Sequence, residues 1–207
     1  MQSIVGETTQ TPLFDTDAAW MKEHEAQFKQ AQGRAQGGLA HQRASWVLAG
    51  VAIVSDLSAP GGWDLPSLMG SRELFAIAVG ICAVAAWRWG RRERTQGLGD
   101  MVRTISHASA TVKYEHRGDT PEQKANNLNQ AREEARSEGA SAFAKLAAHH
   151  YVSTLSGRKT NLVINEKTLE MGIDTGVAPE GVTRVALTET QIGEIRKAAV
   201  KKKGPRG

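Results

Sequence analysis

The side chains best suited to chemistry are few in this chain, and their spacing does not assemble a reaction centre. His149 and His150 are adjacent, and neighbouring helical positions point about 100° apart, so the pair is not a ready metal site. The single cysteine, Cys82, lies inside an apolar run, away from any base that would activate its thiol. Glu133 and Glu134 are flanked by arginines, a pattern typical of a solvated helix face.

Nucleotide-binding signatures are also missing from the sequence. The chain has 21 glycines, but it contains neither a Gly-Lys-Ser/Thr phosphate loop nor the glycine pattern of a dinucleotide-binding strand-turn-helix. We therefore predict no catalytic residue, no metal ligand and no cofactor, and a non-enzymatic role.

The polar and apolar residues are unevenly distributed along the 207-residue chain, whose formal net charge is +4. Two dense apolar runs cover residues 44–57 and 74–89, separated by a short loop rich in glycine and proline. One cysteine cannot form an internal disulfide. The polar N-terminus carries several acids and lacks the basic start of a secretory signal.

The two apolar runs predict a transmembrane helical hairpin over residues 44–90. Each run falls slightly short of the roughly 20 residues that cross a bilayer, with about 17 at the short end, but both are apolar on all faces. Basic residues concentrate on the outer sides of the runs, so the positive-inside rule places both termini on the cytoplasmic side. The predicted contacts with the membrane interface are Trp46, Trp63, Trp87, Trp89, Arg88, Arg91, Arg92 and Arg94.

Small residues recur along both runs, and helix backbones approach closely where small residues lie four apart. They include Ser45 and Ala49 in the first run, and Ala76, Gly80 and Ala83 in the second. The favoured interpretation is packing within the hairpin, and the alternative is docking against a larger complex.

The remaining sequence predicts a mainly α-helical fold. Helices are expected over residues 15–32 and 97–115. A third begins after its N-cap Thr120, with Pro121 at the first helical position and Gln123 completing a capping box. That helix is expected to continue, weakened at Gly139, to a natural end at Ser156–Gly157. The apolar stripe of the second helix is predicted to pack on a partner or on the following helix: Leu98, Met101, Val102, Ile105 and Val112.

Residues 160–187 change character and suggest a short β-hairpin. Thr160–Ile164 and Val182–Leu187 resemble strands, and glycines and a proline interrupt the segment between them. A last helix, capped by Thr188, leads into a basic tail expected to contact an anionic partner. Its cations are Arg196, Lys197, Lys201, Lys202, Lys203 and Arg206.

These elements divide the chain into four predicted regions. Residues 1–43 form a polar N-terminal region with a short helix, and residues 44–90 form the hairpin. Residues 91–157 hold the basic juxtamembrane and amphipathic helices, and residues 158–207 form a small mixed segment with the C-terminal helix and basic tail.

Three functions remain open from the sequence. The leading one is a non-enzymatic structural or accessory subunit, anchored in the lipid bilayer by the hairpin and docked on other subunits of a secretion, respiratory or virion-membrane complex. The second is a membrane protein of a phage or of a conjugation or secretion machine, which assists DNA delivery by contacting nucleic acid or anionic lipid through its basic regions. The third is a soluble helical binding protein with the apolar hairpin as its core.

Overall fold

A computed structural model of the chain describes residues 12–57, 72–118, 120–158, 162–165, 167–173 and 184–186. Its contacts divide the chain into two compact units. The core unit comprises Met1–Lys29 and Met101–Thr188, and the hairpin unit comprises Gln30–Asp100 and Glu189–Gly207. Each unit is described below by its own described residues.

Within those residues the structure is mainly helical, as the sequence predicts. The helices are α1 (Ala19–Leu57), α2 (Arg72–Glu115), α3 (Pro121–Arg136) and α4 (Ala142–Leu155). The strands are β1 (Leu162–Asn165), β2 (Met171–Ile173) and β3 (Arg184–Ala186). The predicted last helix and the basic tail lie outside the described residues.

Helix α3 begins as its sequence predicts. The Thr120 hydroxyl accepts a hydrogen bond from the Gln123 amide, and the Gln123 side chain accepts one from the Thr120 amide, which completes the capping box. The predicted single helix is interrupted after Arg136, and Ser141 caps a separate α4 by accepting from the Ala144 amide. Helix α4 ends at Leu155, with Ser156 as its C-cap and Gly157 in the left-handed region (φ 64°).

A small antiparallel sheet follows, with strand order β2-β1-β3. Pairing of Val163 with Ala186 joins the two strand segments that the sequence predicts. Strand β2, which the sequence analysis missed, returns on the other side of β1. The turn before β2 is set by Asn165, whose side-chain oxygen accepts from the Lys167 and Thr168 amides.

The core unit is held together by aromatic and aliphatic side chains from α1, α2, α4 and β1. Phe14 meets Tyr151 edge-on at a ring-centroid distance of 5.9 Å, and Phe28 meets Phe143 at 5.2 Å. Leu13 and Phe14, just before α1, are held by Glu134, whose carboxylate accepts from their amides at 2.7 and 2.8 Å.

In the hairpin unit, α1 and α2 approach closely through small residues. A Cβ atom on Gly38 would lie 2.5 Å from the Arg94 backbone nitrogen, and one on Gly97 would lie 2.6 Å from the Ala31 carbonyl oxygen. Ser45 and Ala83 are buried as well. Of the other small residues predicted to pack, Gly80 has nothing within 4 Å of an added Cβ.

The predicted transmembrane hairpin and the two-span integral location are wrong. Among the helices of the described residues, none carries an apolar stretch long enough to cross a bilayer. The physical reason is length: residues 44–57 and 74–89 are short apolar parts of helices whose other residues are largely polar. The predicted membrane and virion-membrane assignments depended on these spans and are therefore wrong. The predicted placement of both termini on the cytoplasmic side is wrong for the same reason.

Candidate functional site

The hairpin unit presents most of the exposed large apolar side chains of the described structure. Ten of twelve such side chains lie in this unit, with exposed fractions from 37% to 72%. The larger part of them forms two stripes at i, i+4 and i+7, a spacing that places side chains on one helix face. The stripes are Val47, Val51 and Val54 on α1, and Ile77, Ile81 and Val84 on α2. We call these the apolar seams.

The seams are separate from the surface that joins α1 to α2. The joining surface uses small residues, among them Gly38, Gly90 and Gly97, whereas the seam residues are β-branched and remain exposed. Each helix therefore has one face packed within the unit and a second face whose apolar side chains are exposed. The expectation that the apolar hairpin forms a buried core is not met at the seam residues.

Three of the four tryptophans predicted for a membrane interface lie in the described part of the hairpin unit. Trp46 is 72% exposed. The Arg91 guanidinium lies 5.5 Å from the Trp87 ring centroid, a cation–π contact. Trp89 stacks on His41 at 5.9 Å with nearly parallel rings. Trp63 lies outside the described residues.

Ion pairs join α1 and α2 in the polar part of the hairpin unit. Arg34 donates to the Asp100 carboxylate at 2.9 Å, and His41 lies 3.6 Å from Glu93. Arg88, Arg91 and Arg92 are exposed, and Arg94 is half-buried beside Gly38. The apolar seams therefore lie in uncharged segments of α1 and α2. The charged contacts lie in other segments of the same helices, residues 34–43 and 88–100.

The stripe predicted to pack on a partner lies mostly inside the chain. Met101, Val102, Ile105 and Val112 are buried in the core unit, and Leu98 is half-buried in the hairpin unit. The Ser109 hydroxyl on the same helix donates to the Ala147 carbonyl of α4 at 2.9 Å. The four core-unit residues of the stripe are therefore covered by the chain itself, and helix α4 lies beside them at Ser109.

The residues examined for chemistry remain dispersed. The Ser106 hydroxyl lies 3.5 Å from His150 Nε2, and burial lowers the pKa of His149 from its ordinary value of 6.5. Cys82 is exposed. No cluster of three or more potential metal ligands occurs within the described residues. The cations proposed for anionic contact, Arg196 to Arg206, lie outside them.

Comparison of the chain with protein-family models, curated proteins and solved structures finds no match. The site therefore rests on its own geometry. The sequence analysis did not single out the seams, because it assigned the apolar runs to a membrane-spanning hairpin and considered only their small residues for helix packing. The signal was present in the spacing of Val47, Val51 and Val54 and of Ile77, Ile81 and Val84.

Proposed function

We propose that this chain is a non-enzymatic structural subunit that assembles with a second copy of itself through the apolar seams of α1 and α2. The observation that carries the proposal is the presence of an exposed seam with coiled-coil spacing on each of two paired helices. A helix face of this pattern is stable in water when another helix covers it.

The exposed area supports an interface. Three of the ten exposed residues are tryptophans, which offer up to ~150–250 Å² each, and with the seven aliphatic side chains they present on the order of 1,000 Å² of apolar surface. Monomers seldom expose apolar patches beyond roughly 300–600 Å². A standard protein interface buries about 800 Å² on each partner, an area that the seams reach together with Ile53 and the three exposed tryptophans.

The absence of charge selects the partner. Residues 45–55 and 74–87 contain no charged side chain. A partner with charges on its contact surface would lose their hydration here and find no opposite charge in return. The same hairpin in a second copy is uncharged and carries the matching spacing. Two hairpins packed seam to seam form a four-helix bundle, a common arrangement of paired helices.

The proposal is tested by light scattering coupled to size-exclusion chromatography of the full chain. The wild type is expected to elute as a dimer. Ile81→Glu places a carboxylate in the seam and is expected to weaken association at least ~100-fold, because an uncompensated charge becomes buried.

The matched control is His107→Glu, which introduces the same side chain at an exposed position of the same helix in the core unit. We expect this variant to remain a dimer. A monomeric wild type, or equal dissociation of both variants, contradicts the proposed assembly.

A further inference from the structure

The core unit contains an open groove of about 660 Å³, formed by the end of α2, the start of α3 and the end of α4. This volume lies within the range of roughly 300–1,000 Å³ typical of small-molecule sites. We call it the basic groove. None of its described lining residues belongs to the hairpin unit.

Its wall and floor are apolar. Leu128 of α3 and Leu155 of α4 line it, together with the buried Tyr151. Burial raises the pKa of Tyr151 above its ordinary value of 10.0, so this ring stays neutral at physiological pH. The body of a ligand would therefore meet hydrocarbon and an aromatic ring.

Its rim carries positive charge. Lys113, Arg117 and Lys124 line the groove, and no Asp or Glu is among the described lining residues. Within the described structure, the ion pairs occupy other cations, and none joins these three to a carboxylate. Lys124 is the fourth residue of α3. A positive charge near the N-terminus of a helix interacts unfavourably with the helix dipole, so the charge of Lys124 does not stabilise α3.

The frame of the groove is fixed by local contacts. The Asn127 side chain donates to the His116 carbonyl at 2.8 Å, which ties α3 to the end of α2. A Cβ on Gly118 would lie 2.9 Å from the Lys124 backbone nitrogen, so the connecting loop packs closely on α3. The groove is thus preformed, which lowers the ordering cost of binding.

We infer that the basic groove binds a small amphiphilic anion, whose apolar body lies against Leu128, Tyr151 and Leu155 and whose acidic head lies among Lys113, Arg117 and Lys124. A medium-chain carboxylate has this chemistry. The inference is independent of the proposed dimer, because the groove and the seams lie in different units.

The probe is decanoate, titrated into the full chain while the methyl NMR signals of Leu128 and Leu155 are recorded. These signals report on the groove itself, so binding in the groove is distinguished from adsorption of decanoate to the exposed seams. Saturable shifts of both residues are expected. Shifts confined to other methyl groups overturn the inference.

Two further probes separate the parts of the ligand. Decanol offers the apolar body without charge, and inorganic phosphate offers charge without the body. Both are expected to bind more weakly than decanoate. Decanol binding as tightly as decanoate removes the role of the cations, and phosphate binding as tightly removes the role of the apolar floor.

The cations are tested by Lys113→Gln and Lys124→Gln. Each is expected to weaken decanoate binding about fivefold, the factor for an exposed charge pair at the strong end of its range. The matched control is Arg132→Gln, which removes one exposed cation of α3 outside the groove and is expected to bind as the wild type does. Equal affinities in all three variants contradict the proposed head-group contact.

Discussion

The close approach of α1 and α2 makes a sharp prediction at two adjacent glycines. An alanine Cβ at Gly38 would lie 2.5 Å from the Arg94 backbone nitrogen and 2.6 Å from the Gly90 carbonyl oxygen. Neither atom belongs to a side chain, so the helices must separate to admit the methyl group. At Gly37 nothing lies within 4 Å of the same added atom.

The magnitudes follow from these surroundings. In a helix interior, Gly→Ala stabilises by about 0.5–1 kcal/mol through backbone entropy, and this is the expected effect of Gly37→Ala. Gly38→Ala gains the same entropy but overpacks the contact, which typically costs about 1–3 kcal/mol. We therefore expect the two variants to differ by about 1–3 kcal/mol in the free energy of unfolding, with Gly37→Ala the more stable.

The assay is urea denaturation followed by far-UV circular dichroism, with amide hydrogen exchange of residues 30–45 as the local measurement. Gly38→Ala is expected to lower the midpoint and speed exchange, whereas Gly37→Ala raises the midpoint. If the two alanines change stability equally, the close glycine contact between α1 and α2 is refuted.

Three further predictions concern the core unit. Glu134→Gln is expected to cost about 1–2 kcal/mol, because the charged acceptor of two backbone amides becomes neutral; urea denaturation against the exposed control Glu133→Gln tests it, and equal midpoints would refute it. Thr120→Ala is expected to cost about 1 kcal/mol through loss of the α3 cap, and a denaturation midpoint equal to the wild type would contradict it. Burial lowers the pKa of His149 below 6.5, so the unfolded chain binds its proton more readily and stability should fall as pH drops through 6.5 toward the lower folded value; His149→Phe should flatten that part of the profile, and an unchanged slope would count against it.

Local signals in the sequence predicted local structure well. The start of α3 follows from Thr120, Pro121 and Gln123, and the end of α4 follows from Ser156 and Gly157, because caps depend on residues near in sequence. The break between α3 and α4 was read only as a weak point at Gly139. The position of the break depends on the Ser141 cap. The apolar periodicity continues across Ser141, so the sequence analysis did not identify this cap.

Features with a weak local signal, or that join distant residues, were harder to predict. Strand β2 is paired through the Asn165 turn, and its three residues carry little strand signal of their own. The basic groove joins Lys113, Leu128 and Leu155, which no sequence spacing brings together. The membrane prediction failed because apolar density was weighed above the length of the apolar runs.

The basic tail and the possible contact with nucleic acid remain predictions of the sequence alone. Among the described cations of the hairpin unit, Arg91 lies over Trp87 and Arg34 pairs with Asp100, and both contacts are internal to the chain. The apolar seams contain none of these cations, so assembly through the seams can be tested independently of the basic tail.

Disulfide cross-linking through Cys82 tests the proposed assembly most directly. Cys82 is the only cysteine of the chain and is exposed beside Ile81, so any disulfide formed must join two copies. Under mild oxidation we expect rapid conversion of the wild type to a disulfide-linked dimer, and little conversion of Asn129→Cys in a Cys82→Ser background, where the thiol lies on α3. Cross-linking at Cys82 no faster than at position 129 would contradict assembly through the hairpin seams.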